Sequence, residues 1–228
     1  MFKPNRSISL LDRLSTSSAD SRRLPPNLLE SIVSGEKTYD FEFDQALPPR
    51  LRALADIHWS PIEVARTIAF ALKDCPRARF IDIGAGPGKL CLLLALMTDW
   101  EIYGIEQRED LVTVARQICD ENAPGRVHMI HGNMLTLDWD HFDIFYLYNP
   151  FQEHMCGRDG TVPIDRKIHM TRRFYAKYVD EVFRQLVLLK AKQRVITFHG
   201  YGGRLPTSLK LLKSWQIEKG TLSIFEKV

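Results

Sequence analysis

Between Phe80 and Met97 the chain passes from an apolar strand through a turn with three glycines straight into an apolar helix, and few folds accommodate that succession. The predicted strand Ala78–Ile83 ends at Gly84-Ala85-Gly86-Pro87-Gly88, and a helix reads over Pro87–Met97. Gly84 and Gly86 lack a Cβ, so the backbone there can approach a ligand closely. Open α/β sheets place ligands outside the carboxyl ends of their strands, which makes this turn the first candidate site. Two familiar glycine loops fail on residues they need. A dinucleotide G-x-G-x-x-G requires glycine where Lys89 stands, and a phosphate-binding G-x-x-x-x-G-K-[ST] meets Ile83 and Leu90 instead of a glycine and a hydroxyl.

From Ala78 onward strands alternate with helices. Strands are predicted at Ala78–Ile83, Glu101–Glu106, Arg126–His131, Phe142–Tyr148 and Arg194–His199, with helices at Glu109–Asn122 and Asp165–Leu189 between them. A helical crossover between successive strands implies parallel pairing. Near-continuous apolar strands imply a sheet covered on both faces. The end of the chain departs from this pattern, with a short helix at Pro206–Lys213, then Trp215–Glu218 and Leu222–Phe225 joined by a Lys219-Gly220 turn. So short a connection closes only a hairpin, which predicts an antiparallel finish. The fold class is therefore α/β: a seven-stranded, doubly wound, mostly parallel sheet with a reversed C-terminal strand.

Three segments are expected. Residues 1–25 read as a poorly ordered polar leader, 26–77 as a helical extension and 78–228 as the α/β domain. In the extension, helices are predicted at Pro26–Val33 and Pro48–Asp56. Ser60 would cap a further helix, with Pro61 in its first turn and Glu63 completing a capping box.

Composition excludes little. Hydrophobic residues at 45% and charged residues at 26% are those of a globular chain, and a net charge of +3 does not by itself indicate nucleic acid, which stays open as a partner. No apolar run is long enough to cross a membrane. Cys75, Cys91, Cys119 and Cys156 are far apart, as free thiols in a reducing compartment would be. No ligand set for a metal stands out: Cys156 and His154 lack a second pair, and His128 and His131 point to opposite faces of their strand.

The pattern Asp82-x-Gly84-x-Gly86-x-Gly88 resembles the first motif of class I methyltransferases. The likeness continues at Glu106, an acid ending the second strand, and at Gly132-Asn133, where that family often has Gly-Asp. The resemblance implies S-adenosylmethionine as cofactor. Asp82, Gly84, Gly86 and Gly88 would form the turn that cradles its amino acid part, Glu106 would accept its ribose hydroxyls, and Asn133 would face its adenine. Tyr148-Asn149-Pro150-Phe151 is similar to the N-P-P-[YF] motif of amino methyltransferases but lacks the second proline, so its aromatic comes one position early. Asn149 would then touch both cofactor and acceptor, stiffened into extended geometry by Pro150. The chain also resembles small bacterial stand-alone methyltransferases with an H-W-[ST]-P segment, here His58-Trp59-Ser60-Pro61, which implies a bacterial cytoplasmic setting.

Glu153, His154 and His199 are the candidate acid–base groups. The polar stretch Gln152–Gly160 and the glycine-rich Gly200-Tyr201-Gly202-Gly203 would carry substrate contacts, with Trp59 in a lid or in the core. Arg166, Lys167, Arg172, Arg173 and Lys177 form a basic helical face, either merely solvated or facing an acidic acceptor. The methyl acceptor is open: a nitrogen of a small molecule or protein side chain, RNA or DNA, or none in a module that only binds the cofactor.

Overall fold

The computed structural model describes residues 21–155, 163–218 and 220–228. The expected leader over residues 1–20, Cys156, the stretch 157–160 and the Lys219 half of the last turn lie outside the described residues.

Strands β1 (Arg79–Ile83), β2 (Glu101–Glu106), β3 (Val127–His131), β4 (Ile144–Leu147), β5 (Arg194–Phe198), β6 (Leu209–Ile217) and β7 (Gly220–Lys227) form one sheet in the order β3-β2-β1-β4-β5-β7-β6. The first five pair in parallel, and β7 runs antiparallel to both β5 and β6. The alternating side chains of each strand feed two cores. Phe80 of β1 and Tyr146 of β4 face one core, Ile81, Ile83, Phe145 and Leu147 the other.

Among the described residues, five N-terminal helices come before the sheet: α1 (Pro26–Ser34), α2 (Asp40–Asp44), α3 (Pro49–Arg52), α4 (Ala55–His58) and α5 (Ile62–Ala71). They share the Phe80 side of the sheet with α6 (Lys89–Met97) and α7 (Glu109–Asn122). Among the described residues, α8 (Arg172–Leu188) is the α-helix on the other face, packing through Tyr178, Val182 and Leu186. Lys89 welds the N-terminal helices to the glycine turn. Its side chain is 3% exposed, and its Nζ lies 2.7 Å from Asp40 and 2.8 Å from Asp44, both on α2. A lysine taken out of water needs such partners. Among the described residues, no helix is long and apolar enough to cross a membrane.

Four local expectations are corrected. The segment expected as a helix at Pro206–Lys213 enters β6 at Leu209, because the open edge of β7 supplies backbone partners along its length; a short apolar run does not betray its period. Ser60 does not cap α5. Pro61 holds the cap position, and the Ser60 hydroxyl bonds the buried Tyr146 hydroxyl at 2.7 Å. The helix expected from Asp165 starts at Arg172, where the Thr171 hydroxyl accepts from Phe174 N. The helix expected over Pro48–Asp56 breaks into α3 and α4, and α2 was not foreseen as a separate helix.

Candidate active site

A cavity of about 480 Å³ opens at the carboxyl ends of β1, β2 and β4. Its wall at β1 is the glycine turn. The amide nitrogens of Gly84 and Ala85 both donate to Ile105 O on β2, which pins the turn to the neighbouring strand. Gly84 (φ 84°) and Gly86 (φ 54°) lie in the left-handed region that glycine adopts without strain. A Cβ on Gly84 would stand 3.0 Å from Pro150, and one on Gly86 2.7 Å from the Trp59 ring. Two distant segments thus close onto the bare backbone. Trp59 is anchored in turn by its indole N–H to Leu51 O at 3.1 Å.

Glu106 forms the wall at β2 and is buried. Its Oε2 accepts from Gly86 N at 3.2 Å and its Oε1 from Arg108 N at 2.9 Å. Burial raises its pKa, while the Arg108 amide and guanidinium and the Gly86 amide oppose the rise. Asp82, on the adjacent β1, pairs in register with Gly104 and is also buried. Burial, then repulsion from Glu106, pushes it up to about 8, and its nearest polar partner is the Cys91 thiol at 3.9 Å. Burial thus favours the protonated form of Asp82.

Of the residues singled out from sequence, Trp59, Gly84, Gly86, Glu106, Asn133, Asn149, Glu153, His154 and His199 are among those lining the cavity. Asp82 and Gly88 are not in its wall: Asp82 is buried under the turn, and Gly88 starts α6 against Ala115. Asn133 Oδ1 accepts from Leu135 N at 3.0 Å, and its amide nitrogen bonds the Tyr178 hydroxyl. The oxygen keeps one further lone pair for a ligand.

Asn149 differs from its expected geometry. Rather than extended, its φ is 39°, and its N donates to Gly200 O at 2.9 Å beyond β5. The link between the two strand ends outweighs the pre-proline preference, and asparagine is among the residues best able to adopt this backbone. Phe151 is stacked flat on Tyr178, at 4.9 Å and 9°, in the second core, so its ring is committed to packing. His199 mirrors Asn149 with φ 57°, is exposed, and stacks on Tyr148 at 5.7 Å. Tyr148 reaches Ile57 O at 3.2 Å, tying β4 to α4.

Glu153 is not a free base. One oxygen lies 2.9 Å from the Arg108 guanidinium and the other accepts from Ile164 N at 2.6 Å. His154 is buried, which lowers its pKa, and its Nδ1 accepts from Thr171 N at 3.3 Å. Arg108 itself escaped the sequence reading: its partners Glu153 and Asp165 lie 45 and 57 residues away, and no local motif announces them. An arginine two places after a strand-end acid was the one available signal.

The sheet order, the glycine turn and the strand-end acid define a methyltransferase-type α/β enzyme. A family model described as a methyltransferase domain matches residues 76–193, and the chain belongs to that family. No curated protein sequence matches the chain. Among solved structures, the chain is similar to an RNA methyltransferase from Salinibacter ruber in complex with S-adenosyl-L-homocysteine, at 18% identity and a TM-score of 0.51, over 74% of this chain and 92% of that one. It is also similar to the putative methyltransferase yhhF from Escherichia coli, at 14% identity and a TM-score of 0.51, over 72% of this chain and 84% of that one. MtNAS in complex with MTA and tNA matches at 14% identity and a TM-score of 0.51, over 89% and 69%. At these identities the likeness is one of fold.

Proposed function

We propose that the chain transfers a methyl group from S-adenosylmethionine to an acceptor nitrogen of a small molecule or protein side chain. The observation that carries this reading is the shared outlook of the glycine turn and Glu106 onto one cavity of about 480 Å³. The residues fit the cofactor. The bare backbone at Gly84 and Gly86 leaves room for its amino acid part, and Glu106 spends one lone pair of each oxygen internally, which leaves others for two ribose hydroxyls. Asn133 would meet the adenine. The S-adenosyl-L-homocysteine in the Salinibacter ruber enzyme supports the same choice of cofactor.

The cofactor supplies an activated methyl when bound, so the protein's task is positioning and the exclusion of water. The Asn149 amide nitrogen is turned to Gln152 at 3.3 Å, and its oxygen can accept from an acceptor N–H. His199 stands on the same rim as the only candidate base whose side chain is exposed. A cytoplasmic setting is part of this reading, supported by the free thiols of Cys75, Cys91 and Cys119. The exposed Arg172, Arg173 and Lys177 on α8 favour an acidic acceptor such as RNA as the second reading, which salt-dependent retention on nucleic acid would reveal.

Calorimetry tests the cofactor. S-adenosylhomocysteine should bind at micromolar level, about 8 kcal/mol, and NAD far more weakly. NAD binding without S-adenosylhomocysteine binding would overturn the reading. Label transfer from tritiated cofactor to cell extracts then finds the acceptor, and no transfer to any fraction would leave a binding module.

A further inference from the structure

The carboxylate at the end of β2 does not stand alone. The Arg108 side chain is 5% exposed and lies among three carboxylates from separate segments, 3.7 Å from Glu106, 2.9 Å from Glu153 and 3.4 Å from Asp165. Its planar five-donor fork can serve several acids at once. Its backbone N–H meets the same Glu106 oxygen that its guanidinium faces. Arg108 therefore acts on Glu106 twice, by hydrogen bond and by charge. On the adjacent β1, the buried Asp82 carboxyl is raised in part by the Glu106 charge. His131 pairs in register from the end of β3, with its ring bonded to Gln107 O. Behind Arg108 stand Glu153, Asp165 and the buried His154.

We propose that Arg108 is a positioning residue for cofactor binding: it holds the Glu106 carboxylate charged and turned to the cavity, and so sets how tightly a ribose is held. The proposal rests on the assignment of this cavity to S-adenosylmethionine. Glu106 accepts the ribose hydroxyls as an anion, so affinity falls as pH drops through its titration. Removing the nearby positive charge must move that fall to higher pH. Removing one of the negative charges behind Arg108 must move it to lower pH. A residue that merely braced the loop would weaken binding at every pH and leave the midpoint in place.

The test is S-adenosylhomocysteine calorimetry on the full chain over a pH series that spans the loss of affinity on the acid side, with thermal melts to score folding. Arg108→Gln should raise the midpoint by about one unit, so that affinity below that midpoint drops roughly tenfold further than in the wild type. Arg108→Lys keeps the charge and should return the midpoint most of the way. Glu153→Gln should displace it downward. Should Arg108→Gln fail to fold, the downward displacement in Glu153→Gln decides alone, and an unmoved midpoint there overturns the proposal. Equal midpoints in wild type and a folded Arg108→Gln overturn it as well. Absence of any binding to the wild type would instead overturn the cofactor assignment.

Discussion

The two sides of the cavity are built differently. At the ends of β1 and β2 the ligand-facing groups are held by hydrogen bonds that are already complete: Gly86 and Arg108 amides on Glu106, and Ile105 O on the turn. At the ends of β4 and β5 the backbone itself is under strain, with Asn149 at φ 39° and His199 at φ 57°. Non-glycine residues held in this region cost free energy and gather where function constrains them. The difference assigns tasks. A cofactor common to every turnover suits the preformed side, and the strained rim, with its exposed histidine, suits the acceptor.

The largest effect should come from the preformed side. In the proposed role, Glu106→Ala would remove two charge-assisted hydrogen bonds to the ribose, each worth roughly 1.5–3 kcal/mol, and should abolish measurable S-adenosylhomocysteine binding in calorimetry. Normal binding by this variant would remove the division of labour altogether. On the strained side, Asn149→Gly keeps the left-handed backbone and loses only the side chain. Turnover on the identified acceptor should fall on the order of a hundredfold while cofactor affinity holds. Asn149→Ala adds the backbone penalty, so lower stability in alanine than in glycine separates strain from chemistry. Equal turnover in wild type and Asn149→Gly would take Asn149 out of catalysis.

Asp82 sharpens the contrast within the preformed side. Its pKa in the folded chain, about 8, lies above its ordinary 3.8, so the folded state holds the proton longer. Its contribution to stability is complete below the ordinary value and is lost as pH rises toward about 8. Urea denaturation should show stability declining across that window, and Asp82→Asn should flatten the decline. The smallest effect belongs to Thr171, whose hydroxyl caps α8 and which is not itself in the cavity lining. Thr171→Ala should cost about 1 kcal/mol in chemical denaturation and leave S-adenosylhomocysteine affinity unchanged.

Much of this was legible because its causes are local. A strand, a glycine turn and a helix in succession need only neighbouring residues, and so does an acid closing the next apolar strand at Glu106. Alternating strands and helices implied parallel pairing because no shorter connection exists, and the brief link into β7 implied reversal. Where two local forces competed, the sequence misled. Leu209–Lys213 suits helix or strand until the edge of β7 chooses, and Asn149 stays extended only until Gly200 O claims its amide.

By itself, then, the sequence determined the α/β sheet, the cradle and its strand-end acid. Only the tertiary structure decided which carboxylates carry charge and which side chains are already spoken for. Arg108 reaches Glu153 and Asp165 across 45 and 57 residues, and Lys89 is claimed by Asp40 and Asp44 of α2. Phe151, whose aromatic comes one position early in its motif, stacks on Tyr178 of α8, well downstream in the chain. The physical reason is the same each time. Charge and hydrogen bonding act through space over a few ångströms, and the chain brings those atoms together only after it has folded.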